Sequence, residues 1–194
     1  MKVKIKKVER ILDDFFKVDR AILQFEKFDG SMSPEIVRLN FDRGDSVGAI
    51  IYHATNRSLI FVRQFRYPIF TKDPENAWSL EIVAGVIDAH DSPQDAMARE
   101  IREEIGYQVQ QLKPVFSFYA TPGGSNEKVF LFFAIVTDQD RLDDGGGVVE
   151  EGENLQILEI PVKTTFEMLN SGEFYDAKTI IALQWLKNRQ RLLK

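Results

Sequence analysis

Glu100, Glu103 and Glu104 follow one another at i, i+3 and i+4. On a helix that spacing projects all three carboxylates from one side. Two readings fit. One is a solvated helix face laced with ion pairs, because Arg99 lies one turn from Glu103. The other is a hard-cation site. Clustered carboxylate oxygens suit Mg²⁺ or Mn²⁺, which keep several waters and accept phosphate oxygens as further ligands. Like charges this close repel unless a cation or an arginine lies among them. Burial would raise their pKa values and a metal would lower them.

A helix from Pro93 to Ile105 must carry these residues. Ser92 can cap it, Pro93 suits its first position, Asp95 answers the cap, and Gly106 can end it. Met97, Ile101 and Ile105, spaced by four, give it an apolar stripe. Before it, residues 1–41 alternate apolar and polar side chains and read as half-buried strands, with Lys2, Lys4, Lys6 and Lys7 on a solvated face. Residues 42–45 read as a turn, 46–53 and 58–65 as a hairpin, 68–76 as a loop and 78–87 as one strand. After the helix, strands are expected over 107–119, 127–136 and 154–160, and helices over 161–169 and 176–193. Between them, residues 138–153 form an acidic, glycine-containing loop with seven carboxylates and one arginine. The order of elements is an α+β pattern rather than a regular β-α alternation.

The chain's 194 residues suffice for one full-sized domain with its own core, or for two very small ones. It has no cysteine, which excludes disulfides, thiolate chemistry and iron–sulfur clusters. Its two histidines, His53 and His90, make a multi-histidine metal site a poor fit. Twenty-five basic against thirty acidic residues leave a net charge of −5, which argues against nucleic acid or an anionic membrane as partner. No segment resembles a signal peptide or a transmembrane span, so a cytoplasmic protein is expected.

The run from Gly85 resembles the Nudix box, whose pattern is Gly, five residues, Glu, seven residues, then Arg-Glu-apolar-x-Glu-Glu-x-Gly-apolar. Here Gly85 is followed at that spacing by Arg99-Glu100-Ile101-Arg102-Glu103-Glu104-Ile105-Gly106-Tyr107. One position departs, since Asp91 stands where the family has its first Glu. That acid supports the loop and helix in the family, so a shorter carboxylate implies weaker support without loss of the site. The resemblance implies a Nudix α/β/α sandwich with an N-terminal β-rich extension. Residues 1–42 would form a dimerisation and substrate segment, and residues 43–194 the hydrolase domain. It implies Glu100 and Glu104 as the main ligands of Mg²⁺, with Mn²⁺ as a possible substitute. Glu103 would be a further or water-mediated ligand, and the Ala84 carbonyl an additional one. Arg99 would orient the glutamates.

Residues outside the box resemble the ADP-ribose and nucleoside-diphosphate-sugar pyrophosphatase branch. They are Asp42-Arg43-Gly44, Val62 to Tyr67, Trp78 to Gly85, Pro122 fifteen residues beyond Tyr107, and Ile181 to Leu186. Gly145-Gly146-Gly147 and the acidic segment also resemble GDP-mannose pyrophosphatase relatives. The expected reaction is hydrolysis of ADP-ribose or a related nucleotide sugar to a nucleoside monophosphate and a sugar phosphate. A preference for GDP-mannose or another nucleotide sugar is the alternative. A non-catalytic ADP-ribose-binding regulator is the rival from another class. By the resemblance, Glu151 or Glu153 would be the general base, on a loop whose glycines could let it close. Arg43, Arg66, Glu81, Gly123, Gly124 and Glu127 would hold substrate. Arg63 is a weaker candidate, because strand alternation places it with Phe61 and Phe65. Phe25 and Phe28 are candidates for stacking on the base, with core packing as the alternative. Relatives of this type are homodimers whose N-terminal strands cross to the partner.

Overall fold

The structure is a computed structural model and describes residues 1–148 and 152–193. It contains two compact units, Met1–Asp45 with Tyr119–Lys128, and Ser46–Phe118 with Val129–Lys194.

In the first unit, β1 (Val3–Asp13), β2 (Lys17–Phe25) and β3 (Ile36–Asp42) form an antiparallel sheet in that order. The alternation along residues 1–41 does produce strands, but β1 is exposed at all 11 positions rather than half-buried. Nothing within this unit covers it, so Val3, Ile5, Val8 and Ile11 remain open. Lys6 pairs with Glu35 and Lys7 with Glu9, as a solvated strand face would allow.

The second unit is built on a mixed sheet of β4 (Ser46–His53), β5 (Ser58–Phe65), β6 (Trp78–Glu81), β7 (Val83–Val86), β8 (Lys113–Tyr119), β9 (Lys128–Val136) and β10 (Gln156–Pro161). Its main order is β10-β5-β4-β9-β8. Alternation along β4 divides the core in two. Val47, Ala49 and Ile51 pack with Ala96, Met97, Ile101 and Ile105 of α2 (Pro93–Ile105). Ile50 and Tyr52 pack on the other side with Leu169 of α3 (Val162–Ser171) and with Ala182, Leu183 and Leu186 of α4 (Ala177–Lys187). Helices therefore cover both faces of the sheet, the expected α/β/α sandwich.

β4 and β5 form the expected hairpin, paired from Ile51↔Ile60 to His53↔Ser58. Beyond that point they diverge, and the single strand expected over 78–87 fills the fork as two. β6 pairs with β5 through Val62↔Glu81, and β7 pairs with β4 through Ala49↔Val83. Ile82, between them, belongs to neither ladder. Three other expectations change. The strand expected over 107–119 begins only at Lys113. The loop over 68–76 holds one helical turn, α1 (Tyr67–Phe70), and a 3₁₀ turn at Pro74–Asn76. The last helix stops at Lys187, and a separate 3₁₀ turn follows at Gln190–Leu193.

Candidate active site

The helix α2 starts and stops where its sequence directs. The Asp95 N–H donates to Ser92 Oγ at 3.1 Å, Pro93 opens the first turn, and Gly106 ends the helix at φ 75°. Its apolar stripe is sunk in the core, so the glutamates on the flank are drawn in beside β7. Glu104 is 2% exposed, and the Ala84 N–H donates to its Oε2 at 3.1 Å. Glu100 lies against Gly85, where any Cβ would overlap its carboxylate. The glycine is thus required by the closeness of strand and acid.

Arg99 gathers the remaining acids. Its Nη1 lies 3.0 Å from both Glu100 Oε1 and Glu103 Oε2, and its Nη2 lies 3.2 Å from Asp88. Asp91 reaches only to 3.6 Å from Nε, and that buried Nε has no hydrogen-bond partner among the described residues. The shorter acid keeps the ion pair and forgoes the hydrogen bond.

Burial, with the neighbouring Glu103 and Glu153 charges, pushes Glu100 up to about 7. Burial and the Glu100 charge raise Glu104 well above the usual carboxylate range. Among the described residues no three acidic or histidine side chains converge on one point as a ready-made cage. Glu100 and Glu103 turn to Arg99, and Glu104 to the Ala84 amide. The donor set still fits a hard divalent cation. It is all oxygen and mostly buried, and two of its acids, Glu100 and Glu104, are held against their ionised form by burial and by neighbouring acids, which a cation would offset.

Beside this cluster lies a second one. Glu81, 2% exposed, accepts from Arg66 Nε and Nη2 at 2.9 and 2.8 Å, a two-pronged pair. Lys178 Nζ, on α4, donates to its Oε2 at 2.5 Å. Burial opposes ionisation of Glu81, but these two cations outweigh it and bring the acid down to about 2. Both cations also feel the charge of Glu104. Lys178 and its neighbours Asp176 and Thr179 carry no motif in the sequence. Their role shows only once α4 is placed.

In the first unit, Arg43 Nη1 lies 3.4 Å from Glu127 Oε1, and its guanidinium sits 5.9 Å from the Phe16 ring centre. Its buried Nε has no hydrogen-bond partner among the described residues. Gly123 and Gly124 lie in an open turn where a Cβ would meet nothing. Phe25 is half-exposed and Phe28 almost fully so, and neither is packed in a core. Arg63 lies 3.4 Å from Gln156, and His90 is exposed.

On the acidic loop, Glu151 lies outside the described residues. Glu153 Oε2 accepts from the Val148 N–H at 2.9 Å, and its charge reaches Glu100 and Glu104. Gly145 to Gly147 do not act as the loose tether expected. The amides of Gly146 and Gly147 donate to the Glu104 and Glu103 carbonyls at 2.9 and 3.1 Å, which seats the run on the C-terminal turn of α2. Those carbonyls have no partner within the helix, so the loop supplies one.

Comparison with known proteins shows the family. GDP-mannose pyrophosphatases of Shigella flexneri and of Escherichia coli O1:K1 are each 32% identical over 178 residues, covering 90% of both chains. The solved structure of an ADP compounds hydrolase superposes with a TM-score of 0.71 at 23% identity, over 98% of this chain and 97% of that one. The NUDIX domain family matches residues 42–160, the stretch that holds the α2 glutamates, Arg99, Ala84 and the Arg66–Glu81 pair, and the chain belongs to that family.

Proposed function

We propose that the protein is a Mg²⁺-dependent hydrolase of the pyrophosphate bond in a nucleotide sugar, yielding a nucleoside monophosphate and a sugar phosphate. The observation that carries this reading is the pair of buried acids, Glu100 and Glu104, held against Ala84 and Gly85 and raised in pKa. A regulator that only bound a ligand would have no use for such costly burial. The similar GDP-mannose pyrophosphatases favour GDP-mannose, and ADP-ribose is the alternative raised by the Pro122 segment.

Glu100 and Glu104, with Glu103 and the Ala84 carbonyl, would hold the metal ion, which when bound offsets pyrophosphate charge and lowers the pKa of a coordinated water. Arg99 keeps Glu100 and Glu103 oriented through its two 3.0 Å contacts. Glu153, or Glu151, would accept the proton of the attacking water. Glu153 is supported by its proximity in charge to Glu100 and Glu104. The guanidinium of Arg66, steadied by Glu81, suits a phosphate oxygen. Arg43, Glu127, Gly123 and Gly124 are proposed as further substrate contacts. The open backbone at the glycines leaves room for a ligand.

We also assign a homodimer with residues 1–42 contributing to its interface, supported by the exposed apolar side chains of β1. The protein is read as cytoplasmic, with neither nucleic acid nor membrane as partner. Among the described residues no helix is long and apolar enough to cross a membrane.

The test is phosphate release from GDP-mannose, ADP-ribose, ADP-glucose and UDP-glucose with Mg²⁺ and a phosphatase. Turnover dominated by one of them supports the reading and names the substrate. Binding of ADP-ribose without turnover of any would overturn it in favour of the regulator.

A further inference from the structure

The fork between β4 and β5 leaves one backbone amide in an awkward place. Glu81 pairs with Val62 on β5, and Val83 pairs with Ala49 on β4. Ile82, buried between them, has no ladder carbonyl to meet its N–H. It donates instead to Thr179 Oγ1, at 2.9 Å and 97 positions away in sequence. Thr179 is fully buried, and its hydroxyl donates in turn to Asp176 Oδ2 at 2.6 Å. The same Asp176 oxygen caps α4 through the Thr179 N–H at 2.9 Å. The other Asp176 oxygen lies 3.0 Å from Lys178 Nζ, which also holds Glu81.

This closes a ring through Ile82, Thr179, Asp176, Lys178 and Glu81. On one side of Ile82 stands Glu81, which steadies Arg66. Two residues beyond it stands Ala84, whose amide holds Glu104. The strand's change of partner therefore falls between the two halves of the candidate site.

We propose that Thr179 is a positioning residue that fixes the Ile82 fork and so sets Arg66 and Glu104 in their relative places. It touches neither substrate nor metal. Its methyl group fills buried space that valine would fill equally well. What valine lacks is the oxygen that receives the Ile82 amide and engages Asp176. Serine keeps that oxygen.

The proposal rests on the hydrolase reading of the same site, and the experiment separates the two. Wild type, T179V and T179S are compared for Mn²⁺ affinity without substrate by electron paramagnetic resonance, for kcat and KM on the best nucleotide sugar, and for Tm. T179V is expected to weaken Mn²⁺ binding and raise KM by fivefold or more at temperatures where it is fully folded. T179S should stay within twofold of wild type in both. A lowered Tm for T179V with Mn²⁺ affinity and KM within twofold of wild type overturns the proposal. So does a T179S as impaired as T179V. If T179V does not fold, T179A takes its place, because alanine also lacks the oxygen that receives the Ile82 amide. A threefold or greater loss of Mn²⁺ affinity in T179A against T179S supports the proposal, and an unchanged one overturns it. If wild type turns over no nucleotide sugar, the hydrolase reading fails, while the Mn²⁺ measurement still decides the role of Thr179.

Discussion

Three buried acids of the candidate site are not pushed the same way, Glu100 and Glu104 upward and Glu81 downward, and pH should reveal it. Glu100 ionises near 7 in the folded chain, against 4.5 for an unperturbed glutamate, and Glu104 is raised as well. The folded state then holds more protons than the unfolded one between those values. Stability of the metal-free protein should therefore fall as pH rises from about 5 to about 7. Glu81 runs the other way. Its contribution is complete above 4.5 and lost as pH drops toward about 2. Thermal melts across pH 2 to 8, with and without Mg²⁺, check this, and added Mg²⁺ should raise Tm more at pH 8 than at pH 5. Glu104→Gln keeps the size of the side chain but removes a charged oxygen donor. It should lower kcat by about 100-fold, equivalent to roughly 3 kcal/mol of lost transition-state stabilisation. A steady-state assay on the refolded, correctly melting variant decides it. Asp91→Glu should gain the hydrogen bond that Arg99 Nε lacks, adding about 1 kcal/mol. Differential scanning calorimetry would read that as a Tm rise of about 2–4 °C.

The helix α2 was legible because its instructions are local. Ser92, Pro93, Asp95 and Gly106 lie at its own ends, and the apolar stripe declares its buried face. The hairpin of β4 and β5 was legible for the same reason. Long-range instructions were not. The division of residues 78–87 into β6 and β7 depends on where β4 and β5 part, and Lys178 meets Glu81 only after the chain has returned across 97 positions. No window of sequence contains either fact. The glycine run misled differently. Three glycines suggest freedom, yet Gly145 is held at φ 61° with the backbone of Ile105 so near that a Cβ would lie 2.6 Å from its carbonyl carbon. Gly145→Ala should cost about 1–3 kcal/mol through contact and left-handed strain. A chemical denaturation curve with an unchanged midpoint would contradict that seating.

At the scale of the whole molecule, the feature behind the proposed dimer is β1, exposed along its full length with Val3, Ile5, Val8 and Ile11 open to water. An apolar surface of this kind is unusual on a free monomer. The double variant Ile5→Asp, Val8→Asp should shift the mass measured by light scattering from dimer to monomer. A wild type that is already monomeric at micromolar concentration would remove the dimer from the account. The order of elements foretold an α+β chain and the box foretold its glutamate-bearing helix, but the exposure of β1 could not be read from alternation. A strand with one apolar face looks the same whether its cover comes from its own chain or from another.

The parallel pairing of β4 with β9, from Ser46↔Val129 to His53↔Val136, also bears on how the molecule comes into being. β4 leaves the ribosome early, and its longest neighbour arrives only after α2 and β8 have been made. Until then one edge of a strand buried at every position has nothing to bond with. Closing so long a loop carries an entropic cost that a local hairpin does not. A chain that has not yet reached Val136 leaves that edge of β4 unpaired, and an unpaired apolar edge is the kind of surface that favours aggregation.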